Sequence, residues 1–448
     1  MTDLVVRSRR VVFADGVRPA SIRIRDGEIG GIFEFDHIPA GCRLDDAGDL
    51  VVMPGIVDTH VHVNEPGRTD WEGFETATRA AAAGGVTTIV DMPLNSIPAT
   101  TAVEALAAKR RAAHGKCFVD IGFWGGAVPG NAAALAPLWS AGVLGFKCFL
   151  VPSGVEEFEA VTEGDLRAAM PILARLGAPL LAHAELPGPI DAAQARIGNS
   201  DPRRYATYLA TRPKAAENEA IALLIALSRQ HGVRTHIVHL ASSEALEMIS
   251  EARTSGLPLT VETCPHYLSF AAEEIPDGAT AFKCAPPVRE RDNRERLWAA
   301  LADGTIQMVA SDHSPSPPAM KLLDTGDFLR AWGGISSLQI TLAATWTGAS
   351  ARGCSLNQLA QWMCRAPAQL AGLAGKGVLD TGADADLAIW DPDAEVAVDA
   401  RTLHHRHPLT PYDGLRLRGR VERTYLRGHL VATRAEPSSI PRGRLLTR

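Results

Sequence analysis

No stretch of this 448-residue chain reaches roughly eighteen consecutive apolar residues, the length a bilayer-crossing helix needs, so no membrane partner is expected. The opening MTDLVVRSRRVVFADG has neither the apolar core nor the small-residue cleavage site of a secretory signal, which favours the cytoplasm. Cysteine is sparse: seven residues, Cys42, Cys117, Cys148, Cys264, Cys284, Cys354 and Cys364, with no CxxC pair among them. An odd and scattered set excludes a disulfide framework or a zinc knuckle and fits reduced thiols in the cytoplasm. Dense basic clusters are missing too, and a formal net charge of −6 argues against a nucleic-acid partner. What remains, 46% hydrophobic and 21% charged, is the composition of a folded globular chain.

Both ends of the chain read as β-rich. LVVRSRRVVF and ASIRIRDGEIGGIFEF lead, with Asp26-Gly27 as a hairpin turn, and ADLAIWDP, EVAVDA and VERTYLRGHLVA close the chain. Between them apolar runs such as GGVTTIVDMP, VLGFKCFLVP and APLLAHAE alternate with Ala/Leu/Glu-rich helical stretches such as ENEAIALLIALSRQHG. Strand–helix alternation over roughly 300 residues predicts an α/β fold with a (β/α)8 TIM barrel. The expected division is 1–52 and 373–433 as two parts of one small β-sandwich domain, 53–372 as the barrel, and 434–448 as an extended surface tail.

The predicted strand ends carry side chains that an apolar core would not select. VDTHVH presents His60 and His62 on one face, because residues two apart in a strand point the same way. GFKCF carries Lys147, LLAHAE His183, HIVHLAS His239 and VASDHSP Asp312. In a parallel barrel the C-terminal strand ends meet on one face, where active sites are built. Histidine and aspartate are ligands for zinc-like ions, whereas a protonated Lys147 would repel them. Each residue alone has an ordinary reading: a hydrogen-bonded histidine, a snorkelling lysine, a turn aspartate. For His236, His266 and His313 the ordinary reading is kept. For the six together, all at strand ends of one barrel, it is not.

The order HxH, Lys, His, His, Asp resembles the cyclic amidohydrolases with a binuclear metal centre, a family that includes dihydroorotases, dihydropyrimidinases (hydantoinases) and allantoinases. The resemblance implies that Lys147 is carboxylated by carbon dioxide and bridges two divalent ions as an anion. It further implies that His60 and His62 hold one ion with Asp312, and that His183 and His239 hold the other. Zinc is the first choice of ion, with cobalt, manganese, iron or nickel also compatible with His/carboxylate donors.

Neighbouring residues separate the branches of that family. Dihydroorotases read HxHxR, the arginine gripping a substrate carboxylate; Asn64 stands in that place in HVHVN and cannot form the ion pair. Dihydropyrimidinases usually lack EPGR and carry a tyrosine soon after the bridging lysine, and GFKCFLVPSG has none. By contrast HVHVNEPGRTDWEGF, CPHYL, FKCAPPVRE, SDHSPSPPAMK and AWGGISSLQ resemble the allantoinase branch. That resemblance implies hydrolysis of the neutral ureide allantoin to allantoate by a hydroxide activated between the ions, with Asp312 as the catalytic proton carrier. Substrate contacts are expected from Asn95 and from the backbone near Ala285 and Gly333, and the assembly is expected to be a homotetramer. Two alternatives stand beside it: a hydantoinase or dihydropyrimidinase acting on other cyclic ureides, and a non-catalytic relative serving as an assembly module.

Overall fold

In the computed structural model, which describes residues 3–448, the chain starts with five strands: β1 Leu4–Phe13, β2 Gly16–Arg25, β3 Glu28–Phe33, β4 Arg43–Asp46 and β5 Val51–Pro54. The predicted Asp-Gly turn joins β2 to β3, with Asp26 and Gly27 both left-handed at φ 54° and 93°. Gly55 alone separates β5 from the first barrel strand. A Cβ there would lie 2.1 Å from the Thr87 hydroxyl, so the close approach of sheet and barrel requires glycine.

The barrel strands follow: β6 Ile56–Val61, β7 Val86–Asp91, β8 Asp120–Phe123, β9 Gly125–Gly126, β10 Phe146–Phe149, β11 Leu180–His183, β12 Thr235–Ile237, β13 Leu259–Thr263 and β14 Met308–Val309. All neighbours pair in parallel, in sequence order. β8 and β9 are one strand interrupted at Trp124, so the nine segments occupy eight positions. The barrel closes through His313, whose carbonyl accepts from His62 N at 2.8 Å. Nearly every strand residue is buried, which is why these segments read as continuous apolar runs rather than alternating ones. Helices such as Glu163–Leu176 and Lys214–His231 cover the outside, ending at Gly177 and Gly232 in left-handed caps.

The chain then returns to the first sheet with β15 Leu387–Ala397, β16 Arg416–Leu426, β17 His429–Thr433 and β18 Glu436–Pro437. β5 pairs with β1 on one side and β15 on the other, joining both chain ends into one β-domain. Leu4, Val6, Ile22, Val52, Leu387, Ile389 and Tyr425 share its core. Met53 and Pro54, placed with the barrel from the sequence, pair with Ala388 and Leu387 and so lie in the sheet.

A buried ionic cluster ties this domain to the barrel floor. Lys376 Nζ donates to Asp120 at 2.6 Å, Asp386 at 2.7 Å and Asp384 at 2.8 Å, and the Arg427 guanidinium pairs with Asp120. The C-terminal tail is extended, but it is pinned as well. Ile121 N donates to Arg444 O at 2.9 Å and Leu446 N to Ile121 O at 2.7 Å, beside the free lower edge of β8. No helix of the described residues is long and apolar enough to cross a membrane.

Candidate active site

The six strand-end side chains meet at one mouth of the barrel. His60 lies near the end of β6 and His62 just beyond it, His183 ends β11, His239 follows β12 and Asp312 follows β14. Asp312 Oδ1 is 3.2 Å from His60 Nε2 and 3.5 Å from His62 Nε2. The His239 ring lies 5.3 Å from that of His60 and 4.6 Å from that of His183, between centroids. Five of the six line a cavity of about 520 Å³, and Asn95, Ala285 and Gly333 line it with them. Lys147, on β10, is fully buried and is not part of the cavity lining.

Burial sets the protonation states. It lowers His62 to about 4 and takes His239 well below its ordinary value, with neighbouring cations adding to the effect. These imidazoles are therefore neutral near pH 7, the form that binds metal. Burial opposes ionisation of Asp312, but His60 and His62 outweigh it and hold the carboxyl at about 2. Burial also lowers the Lys147 ammonium to about 8, against the pull of Glu262 and Asp312. Its Nζ has no hydrogen-bond partner and sits 5.0 Å from the Phe149 ring centroid. An unpartnered buried amine beside four histidines and a carboxylate fits a site that takes cations once the amine carries a carboxylate of its own.

The tautomers follow from the hydrogen bonds. His60 Nδ1–H donates to Glu262, leaving Nε2 toward Asp312. His183 Nε2–H donates to Glu185 at 2.7 Å, and Glu185 also pairs with Arg212. Although burial works against it, Arg212 and His183 hold Glu185 well below the usual carboxylate range. Asn95 Nδ2 lies 3.5 Å from His62 Nδ1, and the Asn95 Oδ1 has no partner. Backbone strain concentrates here: Asn64, Asn95, His239 and Asp312 are non-glycine residues at φ 66°, 67°, 40° and 45°.

Several rim residues carry no direct signal in the sequence. Arg68 of NEPGR reaches across the rim to the Asn95 carbonyl at 2.7 Å and pairs with Glu157. Trp71 packs edge-on against Trp332, centroids 5.1 Å apart. Lys283 Nζ donates to Leu329 O at 3.1 Å and Ala331 O at 2.5 Å, while Lys321 Nζ donates to the carbonyls of Lys283 and Gly334. The two lysines thus stitch together the backbone segments that hold Ala285 and Gly333. A Cβ on Gly334 would meet Ser314 O at 2.3 Å, whereas one on Gly333 finds ordinary room. Asn64 is fully buried with Nδ2 3.4 Å from Pro315 O and does not line the cavity. Of the three histidines given an ordinary reading, His313 donates to Glu72 at 3.2 Å and accepts from Ser337 N and Leu338 N. His236 bonds Thr260 and Glu262. His266 has no partner at either nitrogen and lies beside Cys264 and Asp312.

A cavity at the C-terminal mouth of a parallel barrel, lined by buried histidines and a carboxylate with a buried lysine on an adjoining strand, defines a hydrolase of the metal-assisted kind. Residues 51–431 match the Amidohydrolase family, and the chain belongs to it. The chain is 51% identical to the Allantoinase of Streptomyces avermitilis, covering 100% of this chain and 99% of that protein. It is 45% identical to the Allantoinase of Arabidopsis thaliana over 95% of this chain and 87% of the relative. Among solved structures, the L-hydantoinase (dihydropyrimidinase) of Arthrobacter aurescens superposes with a TM-score of 0.95 at 33% identity, covering 100% of both chains.

Proposed function

We propose that the protein is an allantoinase, hydrolysing the ring amide of allantoin to give the open-chain carboxylate allantoate. The observation that carries this reading is the meeting of the six groups at one cavity, in a chain 51% identical end to end to an allantoinase. His60, His62 and Asp312 would hold one divalent ion, His183 and His239 the other, with carboxylated Lys147 between them. Carboxylation adds the neutral Lys147 amine to carbon dioxide, forming a C–N bond and releasing a proton. Burial that brings the ammonium to about 8 favours the neutral amine this addition needs. When bound, the two ions supply the acidification of water that a base as weak as Asp312 requires, together with charge to polarise the scissile carbonyl. Zinc is the ion the donor set suits first, with cobalt, manganese, iron and nickel as alternatives.

Asp312, ionised at neutral pH, accepts the proton of the attacking water and delivers it to the ring nitrogen as the C–N bond breaks. Asn95 offers its unpartnered Oδ1 to a ring or ureido N–H, and the backbone at Ala285 and Gly333 offers further polar groups. Resemblance to the cyclic amidohydrolases, with seven free cysteines, supports a cytoplasmic homotetramer. The test is a panel of allantoin, hydantoin, dihydrouracil and dihydroorotate with metal analysis of the same sample. The highest kcat/KM is expected on allantoin, and a preference for dihydrouracil would refute the assignment. A second reading, as a hydantoinase, is favoured by the TM-score of 0.95 to the L-hydantoinase, and a preference for hydantoin over allantoin would establish it.

A further inference from the structure

We propose that Glu262 is a positioning residue that orients one ligand of each ion, and that His236 anchors it. This rests on the binuclear centre proposed above. Glu262 lies on β13 in LTVET and is fully buried, where a parallel barrel strand would ordinarily carry an apolar side chain. Its Oε1 accepts two donors, the His60 Nδ1–H and, at 3.3 Å, the backbone N–H of His239. Its Oε2 accepts His236 Nε2–H at 3.0 Å, and His236 Nδ1 accepts the Thr260 hydroxyl at 2.8 Å. Thr260 lines a second cleft, whose wall includes Pro179, Pro258 and Met308 from the start of the strands. A hydrogen-bonded line therefore runs through the barrel interior from its floor to the site.

The sharing of Oε1 is what gives Glu262 reach over both positions. Donation from His60 Nδ1–H fixes that tautomer and leaves the Nε2 lone pair toward Asp312, 3.2 Å away. A carboxylate behind an imidazole also raises the basicity of its outer nitrogen. His239 is held differently, through its backbone, at a left-handed φ of 40° that a histidine rarely adopts. Loss of the Glu262 charge weakens the support of the His60 ring and of the strained His239 backbone together. A carboxylate so fully buried is costly as a stability element, which argues against a purely structural role.

Glu262→Gln keeps the shape and one acceptor oxygen but removes the charge and the second acceptor. Cobalt(II) and zinc(II) binding, measured by chelator competition in bicarbonate buffer, is expected to weaken about 10–100-fold for both ions. The metal-free variant is expected to melt no lower than wild type, which separates positioning from folding. Should Glu262→Gln fail to fold, His236→Gln leaves the carboxylate and removes its anchor, and both affinities are expected to fall there too. Unchanged affinity for either ion, in a wild type that takes up two, overturns this inference alone. A wild type that takes up none overturns the metal centre and this inference with it.

Discussion

Replacing Lys147 by methionine is expected to abolish function while stabilising the metal-free protein, and the size of the gain can be worked from its surroundings. The ammonium is fully buried, lacks a hydrogen-bond partner and is lowered from its ordinary 10.5 to about 8. At about 1.4 kcal/mol per tenfold change in proton affinity, holding it protonated in the fold costs about 3 kcal/mol at pH 7. Methionine fills a similar volume without that charge, and the lost cation–π contact with Phe149 gives back about 0.5–1 kcal/mol. The net expectation is a gain of about 2 kcal/mol. Below pH 8 folded and unfolded chains both carry the proton, so the penalty on wild type is complete. Between pH 8 and 10.5 the folded wild type releases the proton while the unfolded chain keeps it, so wild type gains stability and the gap closes. The assay is urea unfolding of metal-free Lys147→Met and wild type in carbon-dioxide-free buffer with chelator, at pH 7 and pH 10. A variant less stable than wild type at pH 7, or a gap that widens with pH, refutes the reasoning about the amine. A variant that keeps two ions and full activity refutes the bridging role.

Lys376→Met leaves the buried carboxylates of Asp120 and Asp386 short of a cation and is expected to destabilise by about 3–5 kcal/mol in urea unfolding. Burial already raises the Asp386 carboxyl, so protonation relieves the variant, and its deficit should be smaller at pH 5 than at pH 8; a pH-independent deficit counts against the cluster. Arg68→Ala frees the Asn95 carbonyl and the Glu157 carboxylate, and KM for allantoin is expected to rise on the order of tenfold with two ions still bound. Steady-state kinetics with metal analysis checks this, and an unchanged KM removes Arg68 from the positioning of Asn95.

The barrel and the β-domain were legible in the sequence because their signals are local and repeated. Apolar runs punctuated by helical stretches specify a parallel barrel, and the pair at Asp26 and Gly27 specifies a hairpin. The six strand-end groups were legible for a related reason: a histidine, lysine or aspartate closing an apolar run conflicts with its surroundings. Glu262 offered the same conflict inside LTVET, yet it sits mid-strand beside histidines given an ordinary reading, so it drew no notice. Arg68, Lys283 and Lys321 lie in blocks that resemble the allantoinase branch, yet their roles were not legible. Their partners are carbonyls of Asn95, Ala331 and Gly334, far off in sequence, and a backbone acceptor leaves no residue-type signature. The left-handed backbones at His239 and Asp312 were hidden likewise, since neither residue type announces a positive φ.

The fold cannot by itself separate allantoin from other cyclic ureides, because a hydantoinase shares it at a TM-score of 0.95. Discrimination falls to the cavity wall, where the disposition of charge is informative. Asn64, at the position of the dihydroorotase arginine, is turned away to Pro315, so no cation replaces that grip. Two of the cations that do line the cavity already have partners: Arg212 is bound to Glu185, and Lys283 donates to two carbonyls. Arg330 lines the cavity from an exposed position at its rim. Apart from Arg330, the cations that line the cavity among the described residues are already paired, so the wall offers mainly hydrogen-bonding groups, which suits a neutral ring rich in amide donors and acceptors. A carboxylate-bearing ring bound there would give up its hydration without the guanidinium grip of the HxHxR pattern, which disfavours it against a neutral ring.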